Sequence, residues 1–254
     1  MKGRLFLVPT PLDHGCAEQT PLDDVLPLGT IKKAAAIACW ISENAKSTRA
    51  FLKRVDAVAP LAQPIQAQQI TELPREVHKK GDHAGAARFD ARPLLAPALQ
   101  GQDVGLISEA GMPAVADPGS SVVRAAHQLG IEVLPLTGPV SLLLALAASG
   151  LNGQNFAFTG YLPQDASART TQIQQISRAV QQSGQTRIVI ETPYRNQVLL
   201  EALLSGLDGQ LRLCVASGLT LPDADGARSA SVAEWRQARW PVTPKAPAVF
   251  LIGR

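Results

Sequence analysis

GLISEAGMPAVADPGSSVVRAAHQLGIEVLPLTGPVSLLLALAAS, residues Gly105 to Ser149, is the stretch around which the chain is organised. A short apolar strand runs into the small-residue turn Ser108-Glu109-Ala110-Gly111-Met112-Pro113. A second turn, Ala116-Asp117-Pro118-Gly119-Ser120, opens a helix reaching to about Leu129. A further strand, Ile131 to Leu134, meets Thr137-Gly138-Pro139-Val140-Ser141 and an apolar helix. Strands alternating with helices predict an α/β fold, and turns of Gly, Pro, Ser and Asp at strand ends are where an open α/β sheet takes its ligand. Gly111, Gly119 and Gly138 can adopt positive φ and let a bulky ligand touch the backbone.

Working outward toward the amino end, Arg4 to Val8 reads as a strand stopped by Pro9-Thr10-Pro11. Leu12 to Gly29 reads as loop plus one short helix, with Pro21 at a helix start. The alternation of elements favours a strand ending at Ile41, within the ambiguous apolar run Ala34 to Ile41, followed by a cap at Ser42-Glu43-Asn44. Ala45 to Val55 is then a helix with Lys46, Arg49, Lys53 and Arg54 as a basic face. Leu61 to Glu72 holds a weak strand, His78 to Asp90 reads as a loop or frayed helix start, Ala91 to Gln100 as a helix and Val104 to Ser108 as a strand. This βαβαβαβ order predicts a mostly parallel sheet with helices on both faces.

Toward the carboxyl end, strands are predicted at Phe156 to Phe158, Thr186 to Ile190, Leu211 to Ala216, Ser229 to Ser231 and Ala248 to Ile252. Helices are predicted at Arg169 to Gln182, Arg195 to Ser205 and Val232 to Arg239. Strands dominate there, as in a mixed sheet with antiparallel edges. The boundary is placed near Leu136, giving domains 1–136 and 137–254.

Composition narrows the class. The chain has 254 residues, 46% hydrophobic and 18% charged, which suits a folded globular protein rather than a disordered one. No apolar run reaches the roughly 18 to 20 residues that span a bilayer, and MKGRLFLVPTP lacks the long apolar core and cleavage site of a signal peptide. A cytoplasmic protein with no membrane partner is expected. Cys16, Cys39 and Cys214 form no CxxC pair, and His14, His78, His83 and His127 have no metal-ligand spacing, so neither a disulfide framework nor a metal site is expected. The net charge of +3 permits nucleic-acid binding without demanding it. GxxxxGK[ST], GxGxxG and GxSxG are all missing. Glu109 and Asp117 read either as a carboxylate pair for acid–base work or, more simply, as an exposed turn residue and a helix cap at Pro118.

SEAGMPAVADPG, LPLTGPVS, ASGL, FTGYLP and ETPYR stand in this order, and together they resemble the successive blocks of the tetrapyrrole-methylase superfamily of S-adenosylmethionine-dependent methyltransferases. Within it the chain is most similar to the type that 2′-O-methylates a cytidine of small-subunit ribosomal RNA, and the likeness runs from Val8 to Ile252. The resemblance implies two α/β domains, an S-adenosylmethionine cleft between them and a homodimer. Residues 1–136 would carry the acceptor side and the first cofactor loops, and 137–254 the cofactor and dimer side. By motif, Pro9, Ser108, Glu109, Ala110, Gly111, Met112, Ser141 and Leu142 match cofactor contacts, and Ile190, Ala216 and Pro247 match positions around the adenine.

Several blocks depart from that pattern. The RNA enzymes' PTPIGNLxD is Pro9-Thr10-Pro11-Leu12-Asp13-His14-Gly15 here, without the Gly-Asn pair. Their AEDTRxT is Ser42-Glu43-Asn44-Ala45-Lys46-Ser47-Thr48, and their HNE block has only Glu72, Glu76 and His78 nearby. Glu109 replaces the Asp of their DAG turn, ELTK becomes Gly218-Leu219-Thr220-Leu221, and their C-terminal helical domain is expected to be missing. The cofactor-side blocks survive while the acceptor-side blocks change, which describes a diverged paralogue. In-line methyl transfer needs a positioned acceptor and a group to take its proton. The candidates are Glu43 for the proton or orientation, Lys46 and Arg49 for a phosphate, and Tyr194 and Arg195 opposite, with Arg195 more simply paired to Glu191. Three functions are compatible: methylation of ribosomal RNA, methylation of a small molecule or protein side chain, and cofactor binding without transfer.

Overall fold

The computed structural model describes residues 1–13, 15–74, 77, 89–222, 226–240 and 246–254. They form two compact units, one of Met1–Gly15 with Thr20–Val140 and one of Cys16–Gln19 with Ser141–Arg254.

The first unit is a five-stranded sheet in the order β3-β2-β4-β1-β5, parallel throughout. The strands are β1 (Leu5–Val8), β2 (Cys39–Ser42), β3 (Gln69–Glu72), β4 (Val104–Ile107) and β5 (Val133–Pro135). The helices are α1 (Leu22–Val25), α2 (Leu28–Ala35), α3 (Ala45–Val58), α4 (Ala96–Leu99) and α5 (Ser120–Gln128). Strands buried on both faces must be apolar along their length, and β2 and β4 are buried at every residue. One face packs Phe6, Val8, Trp40 and Ile107 against α1, α2 and α3 through Leu22, Ile31 and Leu52. The other packs Leu5, Ile41, Val104 and Leu106 against Leu95, Ala98, Val122 and Ala125 of the α4 and α5 side. Gly105 admits the Trp40 indole, since a Cβ there would stand 2.6 Å from the ring, and the Trp40 Nε1–H donates to Gln68 at 3.0 Å.

Four expectations are corrected here. The run near Ala34 splits into the end of α2 and a strand confined to Cys39–Ser42. The helix expected over 91–100 is a 3₁₀ turn at Arg92–Leu95 followed by α4, because Pro93 and Pro97 interrupt the hydrogen-bond ladder. α5 begins at Ser120 with Gly119 at the cap position, so Asp117 does not cap it. Arg54 does not join a solvated basic face. It makes a two-pronged ion pair with the buried carboxylate of Asp13, at 3.0 and 2.9 Å, and donates to the Thr20 carbonyl at 2.7 Å. Of the expected loop from His78 to Asp90, residues up to Arg88 lie outside the described residues, as do Glu76, His14 and His83.

The second unit is a mixed sheet in the order β6-β7-β10-β8-β9. Its strands are β6 (Phe156–Tyr161), β7 (Thr186–Glu191), β8 (Arg212–Ser217), β9 (Gly226–Ser231) and β10 (Ala248–Gly253). Only β6 and β7 pair in parallel, so the antiparallel edge lies at β9 and the parallel pair at the opposite edge. Helix α6 (Ser141–Ser149) packs on β8, β9 and β10. α7 (Ala166–Ser183), α8 (Asn196–Gly206) and α9 (Val232–Ala238) close a core containing Ile173, Leu203, Trp235 and Phe250.

Candidate active site

The site is built at the carboxyl edge of the first sheet. Chains leaving β1 and β2 pass to the face covered by α1, α2 and α3, whereas the chain leaving β4 passes to the face covered by α5. β4 lies between β1 and β2. Its carboxyl end is therefore where neighbouring connections diverge and leave room for a ligand.

The segments that meet there are held by specific bonds. Thr10 and Gly111 exchange backbone hydrogen bonds, Thr10 N to Gly111 O at 3.0 Å and Gly111 N to Thr10 O at 3.1 Å. The Thr10 Oγ1–H donates to the Ser108 carbonyl at 3.3 Å. Gly111 has φ +75°, and a Cβ on it would approach Leu12 to 3.2 Å. Asn44 caps α3 by accepting from Lys46 N at 2.9 Å and Ser47 N at 3.4 Å. Glu72, at the end of β3, accepts from Ala45 N at 2.6 Å.

Three carboxylates gather at this edge. Glu43 Oε2 accepts from the Glu109 backbone N–H at 3.3 Å. Asp117 lies in the turn that follows, where desolvation, then the charges of Glu43 and Glu109, push its carboxyl up to about 7. Neighbouring negative charges and partial loss of water both favour the protonated form of a carboxyl, which is the direction of the Asp117 shift. The turn carrying Asp117 is strained: Ala114 and Ala116 have φ +66° and +63°, in the left-handed region that disfavours a Cβ. Among the described residues, no cluster of three His, Cys, Asp or Glu side chains is arranged to hold a metal ion.

The hydroxyls of Ser42 and Ser108 are buried without a hydrogen-bond partner among the described residues. Ser42 is the last residue of β2 and Ser108 the first after β4, immediately before Glu43 and Glu109 respectively. Buried hydroxyls are normally paired. Together with the close backbone approach at Gly111, they fit a ligand that offers several polar groups to main chain and small side chains.

Of the residues singled out in the sequence, Pro9, Glu43, Ser108, Glu109, Ala110, Gly111 and Met112 converge on this edge. Lys46 and Arg49 are exposed on the first turns of α3, and Arg49 Nη1 donates to Ala45 O at 3.4 Å. The remaining candidates belong to the second unit. Ser141 and Leu142 open α6. Ile190 and Ala216 flank Val249 in register across β7, β10 and β8, so the three side chains share one face. The Pro247 carbonyl accepts from Gly218 N at 3.1 Å. Arg195 pairs with Glu191 at 3.3 Å, as expected, and Tyr194 is largely exposed. Thr10, Ser42 and Val249 were not among the site candidates read from the sequence. Alternation along the strands would have flagged Val249, but nothing local marks Ser42.

The sequence family of Tetrapyrrole (Corrin/Porphyrin) Methylases matches residues 28–229. The chain belongs to this family, a class of S-adenosylmethionine-dependent methyltransferases. Among its relatives is the ribosomal RNA small subunit methyltransferase I of Pseudomonas aeruginosa, 34% identical over 224 residues, a match that covers 86% of this chain and 67% of that protein. The protein of the same name from Vibrio cholerae is 35% identical over 130 residues, covering 51% of this chain and 44% of its own. Across such relatives the chain spans between 44% and 67% of their length. The fold is shared with the uroporphyrin-III C-methyltransferase of Thermus thermophilus complexed with S-adenosylhomocysteine. That likeness has a TM-score of 0.52 at 17% identity and covers 99% of this chain and 98% of that one.

No helix among the described residues is long and apolar enough to cross a membrane.

Proposed function

We propose that this chain transfers a methyl group from S-adenosylmethionine to small-subunit ribosomal RNA, at a ribose 2′-hydroxyl. The observation that carries the RNA reading is the cation stripe on α3. Lys46, Arg49 and Lys53 are exposed and spaced i, i+3, i+7, so they share one face of a helix that starts beside Glu43. Such a stripe suits phosphates, which position a nucleic acid without reading its sequence. The names of the relatives point to the same substrate.

In this reading Pro9 and the turn Ser108 to Met112 hold the cofactor largely through main chain, with Ser141 and Leu142 from α6. Ile190, Ala216 and Pro247 offer an apolar setting for the adenine. The cofactor supplies an electrophilic methyl group. The protein aligns the acceptor, keeps water away and provides for the acceptor's proton. Glu43, tied to the Glu109 amide, orients the acceptor, while Lys46 and Arg49 hold its phosphate. Two copies of the chain are expected to associate.

A small molecule or protein side chain is the second reading. It is favoured by Asn44 and Lys46 standing where the RNA enzymes have Asp and Arg, and by the lost Gly-Asn pair after β1. Calorimetric titration with S-adenosylhomocysteine, followed by labelled-methyl transfer to unmethylated small ribosomal subunits, tests the proposal. Binding is expected and should vanish in Gly111→Arg, whose side chain would enter the β4 turn at a left-handed glycine. Transfer to RNA that is weakened by added salt, with a shallower salt slope in Lys46→Ala, supports an RNA acceptor. Binding with transfer only to small-molecule extracts supports the second reading, binding without any transfer a non-catalytic paralogue, and failure to bind either form of the cofactor refutes the methyltransferase.

A further inference from the structure

We propose that Asp117 is the proton acceptor for methyl transfer to a hydroxyl, poised beside Glu43 and Glu109 at the carboxyl end of β4; this rests on the methyltransferase reading above. Three features of the geometry support it. First, the role left open for Asp117 by its sequence position, capping α5, is taken by Gly119. Second, the half-buried carboxylate is carried by a turn whose backbone is strained at Ala114 and Ala116. Strain of this kind persists where the surrounding structure enforces it, commonly at sites of function.

Third, a buried hydroxyl without a partner points to the same place. Along β4, Leu106 packs with Val122 and Ala125 on the α5 side, and Ile107 packs on the opposite side. Ser108, two residues from Leu106, therefore projects to the α5 side, over which the turn 114–119 folds. A Cβ on Gly119 would touch Leu106 at 3.0 Å and Ala114 at 3.6 Å. Ser108 is 4% exposed, and its Oγ has no hydrogen-bond partner among the described residues. A hydroxyl buried on the side that this turn covers is satisfied by a polar ligand atom, and in the proposal that atom is the acceptor oxygen.

The charges facing Asp117 are those of Glu43, from the β2–α3 connection, and Glu109, from its own. The β1 end contributes Thr10, and the start of α5 contributes Ser120 and Ser121, none of them charged. Glu43 is tethered to a backbone amide and suits orientation, which leaves Asp117 to take the proton. In the step, the acceptor oxygen bonds to the methyl carbon at the expense of the sulfur–methyl bond, whose electron pair stays on sulfur. The hydroxyl proton moves to the Asp117 carboxylate and leaves to water after product release. A base poised near the working pH combines an ionised fraction with a useful affinity for the proton.

The test compares wild type, Asp117→Asn and Asp117→Glu in three measurements. These are S-adenosylhomocysteine affinity, single-turnover methyl transfer to unmethylated small ribosomal subunits from pH 5.5 to 8.5, and an infrared titration of the carboxyl band missing from Asp117→Asn. Circular dichroism of each variant checks folding. The expected result is unchanged cofactor affinity and a wild-type rate that climbs with pH and levels off above about 7. A loss of about 100-fold is expected in Asp117→Asn, together with loss of that pH limb and partial recovery in Asp117→Glu. Transfer by Asp117→Asn close to the wild-type rate overturns the proposal. So does an Asp117 carboxyl already ionised at pH 5.5. A wild type that binds S-adenosylhomocysteine but methylates no RNA overturns the RNA reading instead, and the infrared titration then decides the poise of Asp117 by itself.

Discussion

Replacing Asp117 with Asn should change how stability depends on pH, and in a direction that few carboxylate mutations share. The carboxyl titrates at about 7 in the folded chain against an ordinary value of 3.8. Between those two values the native state holds a proton that the unfolded chain has released, so stability falls as pH rises through the window and is flat above it. A displacement of roughly 3 units at 1.36 kcal/mol each sets a ceiling of about 4 kcal/mol. Because Asp117 keeps partial contact with water, about 2 kcal/mol is the working figure. Asn has the same shape without the charge. Asp117→Asn should therefore match wild type only at and below the ordinary value of 3.8, and its advantage should grow with pH to about 2 kcal/mol at pH 8. Native-state hydrogen exchange of the β4 amides reads the opening free energy of the first unit directly. The other carboxylates are common to both proteins and cancel in the difference. A variant destabilised equally at pH 5 and pH 8 would refute the reasoning, because it would mean that Asp117 is ionised and favourably paired in the native state.

Substitutions at three further positions test the frame around the site. Gly105→Ala drives a methyl into the Trp40 ring and should cost about 1–3 kcal/mol, seen as a lower Tm, with Trp40 fluorescence shifted toward that of a wetter indole. Arg54→Ala leaves the buried Asp13 carboxylate unpaired and should cost about 2–4 kcal/mol in urea unfolding, whereas a surface ion pair would cost almost nothing. Asn44→Ala should cost about 1 kcal/mol through loss of the α3 cap, while Asn44→Asp should hold stability, since both side chains accept the same two N–H bonds.

The last comparison shows why parts of this molecule were legible in sequence. Asn44 is a cap because its side chain acts on amides two and three residues ahead, so the signal and its consequence lie within four residues. The parallel sheet was legible for a similar reason. Apolar runs buried on both faces, separated by helical stretches, leave little but a doubly covered sheet. The boundaries of β2 and of the helix before β4 were less legible, because they depend on where Trp40 packs and on two prolines breaking one helix into two turns. The sequence also offered Arg54 as one more cation on a basic helix. Only the folded chain reveals Asp13, 41 residues away, as its partner.

Asp117 is the clearest case of a residue for which the local pattern left two readings open, an acid–base carboxylate and a helix cap. An Asp before Pro-Gly at a helix start reads as a cap, and that reading is sound whenever the helix begins on the next residue. Here Gly119, at φ +129°, takes the cap position and the helix starts three residues on, so the Asp117 carboxylate is freed from that task. What then sets its behaviour is where the neighbouring connections go. The chain leaves β2 and β4 by opposite faces, yet the hydrogen bond from the Glu109 amide to Glu43 draws the two glutamates together at the edge. Asp117 follows Glu109 by eight positions and meets both charges. A shift from ordinary acid to near-neutral base is thus a property of strand order rather than of any motif. It follows that moving Glu43 should move Asp117: in Glu43→Gln one of the two opposing charges is gone, and the Asp117 carboxyl should titrate lower than in wild type while remaining above its ordinary value, because desolvation is the larger cause. Infrared titration of the double variant Glu43→Gln/Asp117→Asn as the blank would read that displacement, and an unmoved Asp117 would show that the two carboxylates do not share the site.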